Sequence, residues 1–178
     1  MTSSTLPLAL FVAINSFLSP FAACAAEPSL RVSLSSDQPT VTMASQVTLT
    51  VKIDNSGDTP IWIFGDLRWG ADGGLILHVG PWSKGGPLPL IIDHETFTGD
   101  EVRPDVLVKL NPDVFLGRER KIEVRDLVRQ PGTYRMWIEY RCPIPSATFK
   151  TSFWGSEHGS SFSPAIVLKV SAIKRKPG

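Results

Sequence analysis

Val47-Thr48-Leu49-Thr50-Val51-Lys52-Ile53-Asp54 alternates apolar and polar side chains without a break, a period of two that turns one face of an extended chain toward a core and the other toward water. It predicts a half-buried β-strand. On its C-terminal side, Asn55-Ser56-Gly57-Asp58-Thr59-Pro60 gathers the residue types that pre-set or permit turn dihedrals. Carried outward, the same test predicts strands over 30–35, 61–64, 75–79, 88–92, 106–110, 122–124, 134–140 and 165–170, separated by Gly, Pro, Asn and Asp clusters. No segment shows sustained helical periodicity. The 15 prolines and 14 glycines fall mostly between these runs, where they shape turns without removing ladder hydrogen bonds. About eight or nine short strands predict an all-β, antiparallel β-sandwich. Val47, Leu49, Val51, Ile53, Tyr134, Met136, Ile138, Ile166, Leu168 and Val170 share phases that exclude the polar residues between them, so they are expected to line one core.

Asp126-Leu127-Val128-Arg129-Gln130-Pro131-Gly132-Thr133-Tyr134 leads into a strand on which Tyr134, Met136, Ile138 and Tyr140 share a face. It resembles a tyrosine corner, in which a Tyr at the start of strand F bonds its hydroxyl to backbone just upstream. With the 55–60 turn, the pattern resembles the exported bacterial immunoglobulin-like domains over most of residues 30 to 172. The resemblance implies an immunoglobulin-like antiparallel sandwich, with Met136 where antibody domains carry their second cysteine, so the intersheet disulfide is ruled out there. Some relatives of that group are peptidase inhibitors and others are adhesion or cell-surface accessory modules. The loops of the chagasin-like inhibitors, Asn-Pro-Thr-Thr-Gly and Arg-Pro-aromatic, are not matched, since Arg103-Pro104 is followed by Asp105.

Residues 1–26 hold no charged side chain, run through Leu8-Ala9-Leu10-Phe11-Val12-Ala13-Ile14 and finish in Phe21-Ala22-Ala23-Cys24-Ala25-Ala26. The small residues at the end suit a signal peptidase, and the apolar run is far short of the roughly 18 residues that cross a membrane. They predict a cleaved signal peptide and an exported protein, periplasmic or extracellular. The stretch around Cys24 also resembles a lipobox, which would make Cys24 a lipidation site and the only route to membrane anchoring. The organisation expected is a leader over 1–26, one immunoglobulin-like domain over 27–172 and a basic tail over 173–178. With 18 Lys/Arg against 17 Asp/Glu, a net charge of +1 over 178 residues excludes the basic excess of a nucleic-acid protein.

The polar residues suggest little chemistry. His78, His94 and His158 form no short ligand spacing, and Asp93-His94-Glu95 with Asp100-Glu101 lacks the glycine punctuation of a calcium loop. No metal or other cofactor is expected. There is no Gly-x-Ser-x-Gly, and Cys142, between Arg141 and Pro143, reads as a half-buried strand-end thiol rather than a nucleophile. Arg118, Arg120, Lys121, Arg125, Arg129 and Arg135, interleaved with Glu119, Glu123 and Asp126, read as a solvated face.

Aromatic residues carry more information. Trp62 is expected in the core, and Trp137 lies on the outward phase with Arg135 and Glu139. Trp82, Phe153 and Trp154 fall in Gly-rich loops, with His158 close behind. If every strand reverses direction, Trp82, Phe153, Trp154 and His158 meet at one end of the sandwich, a placement that suits a binding site for a protein, peptide or glycan of the cell envelope. The function expected is an exported non-catalytic binding or accessory module; a peptidase inhibitor and a small metal-dependent or hydrolytic enzyme are the alternatives.

Overall fold

The computed structural model describes residues 30–70, 74–82, 88–90 (backbone alone), 106–144, 153–154 and 159–172. The leader with Cys24, the loop bearing His94, His158 and the basic tail lie outside the described residues.

Among the described residues twelve strands form: β1 (Leu30–Ser36), β2 (Thr40–Thr42), β3 (Gln46–Asn55), β4 (Ile61–Phe64), β5 (Arg68–Trp69), β6 (Gly74–Pro81), β7 (Leu88–Leu90), β8 (Leu107–Leu110), β9 (Phe115–Glu123), β10 (Gly132–Tyr140), β11 (Ser161–Phe162) and β12 (Ile166–Ser171). A four-residue helical turn, α1 (Val124–Leu127), joins β9 to the segment before β10. One sheet has the order β1-β3-β9, and the larger one β2-β12-β10-β6-β5, with β11 added to β10 and β7 to β6. β4 and β8 form a separate ribbon. The result is an immunoglobulin-like β-sandwich, antiparallel except where β2 runs parallel to β12 and β5 to β6. The surplus over the expected strand number comes from β2, β5 and β11, each of two or three residues, too short to show a period, while β7 falls within the strand expected over 88–92.

The core is built from the alternation that names the strands. Val47, Leu49, Val51 and Ile53 of β3 are fully buried, and so are Met136, Ile138 and Tyr140 of β10 and Leu168 of β12. Ile166 packs against the same cluster while partly exposed. Each such aliphatic side chain contributes about 1.5–3 kcal/mol by leaving water, and β1 closes the layer by approaching β10 and β11 from the opposite sheet. The corner is present: the Tyr134 hydroxyl donates to the Gln130 carbonyl at 2.6 Å.

Two polar groups tie the ribbon to the sandwich. Asn55, with no exposed surface, donates from its amide to the carbonyls of Thr59 (2.8 Å) and Leu110 (3.1 Å) and accepts from the Gly57 N–H at 3.0 Å. Tyr140 reaches from β10 to β4, where its hydroxyl accepts from the Phe64 N–H (2.9 Å) and donates to the Phe64 carbonyl (3.1 Å). Burial pushes the Tyr140 phenol well above its usual range, which keeps it neutral and able to donate.

Three expectations are corrected. Trp62 is 39% exposed, because Ile61 and Ile63 take the inward phase of a four-residue strand and Phe64 is buried at its end. The strand expected at 122–124 begins at Phe115, and Val124 belongs to the helical turn. Its first residues hide their period because Arg118 and Arg120 occupy the inward phase, opposite Val51 and Leu49; both are half-buried, while Glu119 and Lys121 face solvent. The basic series is therefore split between two faces. Arginines turned inward on an edge strand discourage pairing with another chain. Trp69 is buried in β5 at 2% exposure, and its indole N–H has no hydrogen-bond partner among the described residues.

Candidate functional site

The loop aromatics do not converge. β6 and β10, which strict alternation of direction makes parallel, are antiparallel neighbours with Tyr134 opposite Pro81 and Tyr140 opposite Leu75. Trp82 therefore sits beside the start of β10, its N–H bonded to the Thr133 carbonyl at 2.9 Å. Trp154 lies beyond the other end of β10: its indole N–H donates to Ser161 Oγ at 3.0 Å, and Ser161 pairs with Tyr140. From Thr133 to Tyr140, at roughly 3.3 Å per residue, the separation is about 23 Å. The counting failed because β7 and β10 both run antiparallel to β6, so the chain does not reverse at every connection between β7 and β10. Phe153 is buried at 3% exposure, and the Trp154 backbone N–H donates to the Trp62 carbonyl at 2.7 Å, so this pair closes over the β4 side of the core. Trp82 is half exposed.

What the fold does assemble is an aromatic face on the outside of the larger sheet. On β10 the inward phase holds Tyr134, Met136, Ile138 and Tyr140, which leaves Arg135, Trp137 and Glu139 outward. Register then places His78 of β6 directly opposite Trp137, and the two rings stack at 5.3 Å between centroids with 9° between planes. Phe162 of β11 is tilted against the same imidazole at 6.4 Å. At the other end the Arg135 guanidinium lies 4.2 Å from the centroid of the Trp82 ring, a cation–π arrangement. Phe162 is 57% exposed, Trp82 50% and Val167 of β12 37%. The outer face of the smaller sheet is different in kind: Ser33, Ser35, Thr50 and Lys52 alternate along β1 and β3, with Arg31 paired to Asp54 at 2.8 Å. Phe115 is its exposed aromatic, and Lys52 covers that ring at 5.0 Å.

Polar groups on the aromatic face form a chain. Glu139 accepts from Ser160 Oγ at 2.6 Å on one oxygen and meets His78 Nε2 at 2.9 Å on the other. Serine, carboxylate and imidazole are in the wrong order for nucleophile activation, which requires the imidazole next to the hydroxyl. Here the carboxylate lies between them. The chain instead fixes the His78 ring against Trp137. Cys142 is half-buried, its thiol directed at the Ile144 carbonyl at 3.7 Å, and burial pushes the thiol up to about 11. A nucleophilic cysteine needs the opposite shift. Among the described residues no group of three or more His, Cys, Asp or Glu is placed to hold a metal ion.

Sequence reasoning placed Trp137 on the outward phase but left His78 as an isolated histidine. The pairing depends on cross-strand register. The available signal was a His flanked by Leu77 and Val79 in one strand and a Trp flanked by Met136 and Ile138 in another, both outward on interior-facing strands.

No protein-family model and no curated protein matches the chain. Among solved structures it is similar to the CARDB domain of a Pyrococcus furiosus protein solved with di-metal ions (11% identity, TM-score 0.42, 83% of this chain and 96% of that one). It is similar at the same identity and TM-score to part of an Erythrobacter marinus β-glucosidase, covering 81% of this chain and 16% of that one. A third likeness is to AggA, the major subunit of Escherichia coli aggregative adherence fimbriae type I (15% identity, TM-score 0.34, 82% of this chain and 96% of that one). These likenesses are loose, and no ligand or activity is carried over from them.

Proposed function

We propose that this chain is an exported, non-catalytic binding or accessory module that meets a protein, peptide or glycan of the cell envelope through the outer face of β6, β10 and β12. One observation supports the reading above the rest: Trp82, Phe162 and Val167 are exposed on the same sheet face as the stacked His78–Trp137 pair. Exposed aromatic groups on a rigid sheet lose little conformational freedom on binding and supply large apolar contact area. In this reading Trp82 belongs to the contact surface, while Phe153 and Trp154 cap the core. Export rests on the leader over residues 1–26, and Cys24 would add a lipid anchor.

The test uses Trp82→Ala/Phe162→Ala. Immobilised wild type and variant are incubated with envelope extract, and retained components are compared quantitatively alongside the urea midpoints. The double variant should lose the retained component while unfolding close to wild type, because both side chains are more than half exposed to solvent or nearly so. Undiminished retention would place the contact elsewhere.

A further inference from the structure

We infer that the Trp82 half of this face receives an acidic polypeptide segment, with carboxylates meeting Arg135 and Lys169 and an apolar side chain resting on Trp82 and Val167. The inference rests on the functional reading above. Among the described residues, the outward positions of β6, β10 and β12 in this half are Gly80, Thr133, Arg135, Val167 and Lys169, with Trp82 just past β6 bonded to Thr133. They carry two cations and no carboxylate. Glu139 lies at the far end of the face and is already engaged by His78 and Ser160. Arg135 has its charge over an indole ring rather than an anion, and neither Arg135 nor Lys169 forms an ion pair with a described residue.

Geometry selects the shape of the partner. Thr133 pairs with Lys169 and Arg135 with Val167, so Arg135 and Lys169 are diagonal neighbours, roughly 7–8 Å apart at their origins. In an extended peptide, side chains at i and i+2 project from one side about 6.6 Å apart. Two acidic residues so spaced match the two cations. Both indoles already have a face covered, Trp137 by His78 and Trp82 by Arg135. Beside the half-exposed Trp82 the surface therefore offers cationic head groups, which suit the carboxylates of a polypeptide better than an uncharged sugar ring.

The full chain is titrated with a fluorescent random copolymer of glutamate and tyrosine, and with the lysine–tyrosine copolymer and polygalacturonate as alternatives. Saturable binding to the acidic copolymer is expected, falling at least about tenfold in Arg135→Glu/Lys169→Glu and on raising sodium chloride from about 0.05 M to about 0.5 M. The milder Lys169→Ala should weaken it in the same direction, which guards against a folding defect in the reversed pair. No saturable binding, equal binding by the reversed pair, or equal displacement by polygalacturonate overturns the inference. The two readings separate in the envelope extract: if the charge reversals retain the partner and Trp82→Ala/Phe162→Ala loses it, the acidic partner is wrong and the face stands. If both variants retain it, both readings fall.

Discussion

The two faces of β10 are held by different kinds of contact. Inward, Tyr134, Met136, Ile138 and Tyr140 are between 0 and 8% exposed, and both hydroxyls bond to backbone of other segments, Gln130 before the strand and Phe64 across the molecule. Outward, Arg135, Trp137 and Glu139 contact other side chains: Trp82, His78 and Ser160. The inner face joins elements whose positions define the fold. The outer face orders a surface that the fold would keep without it. A strand can therefore be read as a scaffold on one side and as a recognition surface on the other, and the difference is measurable as stability against binding.

The largest effect is expected from Ile138→Ala, and from Leu49→Ala on the facing sheet, each costing about 2–5 kcal/mol in urea unfolding through the cavity left behind. A loss below about 1 kcal/mol at Ile138 would break the contrast at its centre. Tyr140→Phe comes next at about 2–3 kcal/mol, since it removes two buried hydrogen bonds to the Phe64 backbone at once. A double-mutant cycle with a β4–β8 ribbon substitution should show that the loss falls on that ribbon. Tyr134→Phe should cost about 1–2 kcal/mol, less because Tyr134 is 8% exposed and its corner bond is to a carbonyl near the surface; a neutral result would remove the corner as a structural device.

Cys142, just past β10, gives a pH test of the same boundary. Burial raises its folded-state thiol to about 11 from the ordinary 9.0, so the folded state holds the proton more tightly than the unfolded chain. That contribution to stability is present below about pH 9 and is lost as pH rises toward about 11. The unfolding midpoint should fall across that window, and Cys142→Ala should flatten the fall. An identical alkaline slope in wild type and Cys142→Ala would show the thiol to be solvated.

Inner-face structure was legible because alternation reports burial directly: β3, β10 and β12 were readable from Val47, Leu49, Val51, Ile53, Met136, Ile138 and Leu168, and the Tyr134 corner from the residues before it. Legibility ended where burial and polarity part company. Arg118 and Arg120 turn inward on an edge strand and conceal the start of β9, while Trp62 is outward on a strand too short to show its phase. The candidate surface was less readable still. Trp137 could be placed as an outward residue and Trp82 in a loop, but the stack on His78, the Arg135 cover on Trp82 and the distance from Trp82 to Trp154 all follow from strand register and direction. Those are fixed by pairings between segments some sixty residues apart in sequence, such as His78 with Trp137.

The smallest effect is expected from Glu139→Gln, and it is the sharpest test of the contrast. The pair with His78 is mostly covered, the two side chains being 14% and 15% exposed, and in that respect it resembles a buried pair whose loss is severe. Yet both groups stand on the outer face, where water can replace a missing partner once the side chains rearrange. The glutamine keeps an oxygen for the Ser160 hydroxyl and an amide beside the imidazole, so no group is left stranded. The cost should be about 1 kcal/mol or less, and the His78 ring resonances should shift as the stack on Trp137 loosens. Should Glu139→Gln destabilise as much as Tyr140→Phe, the outer face is as structural as the inner one, and the aromatic surface would be a second core layer rather than a place for a partner.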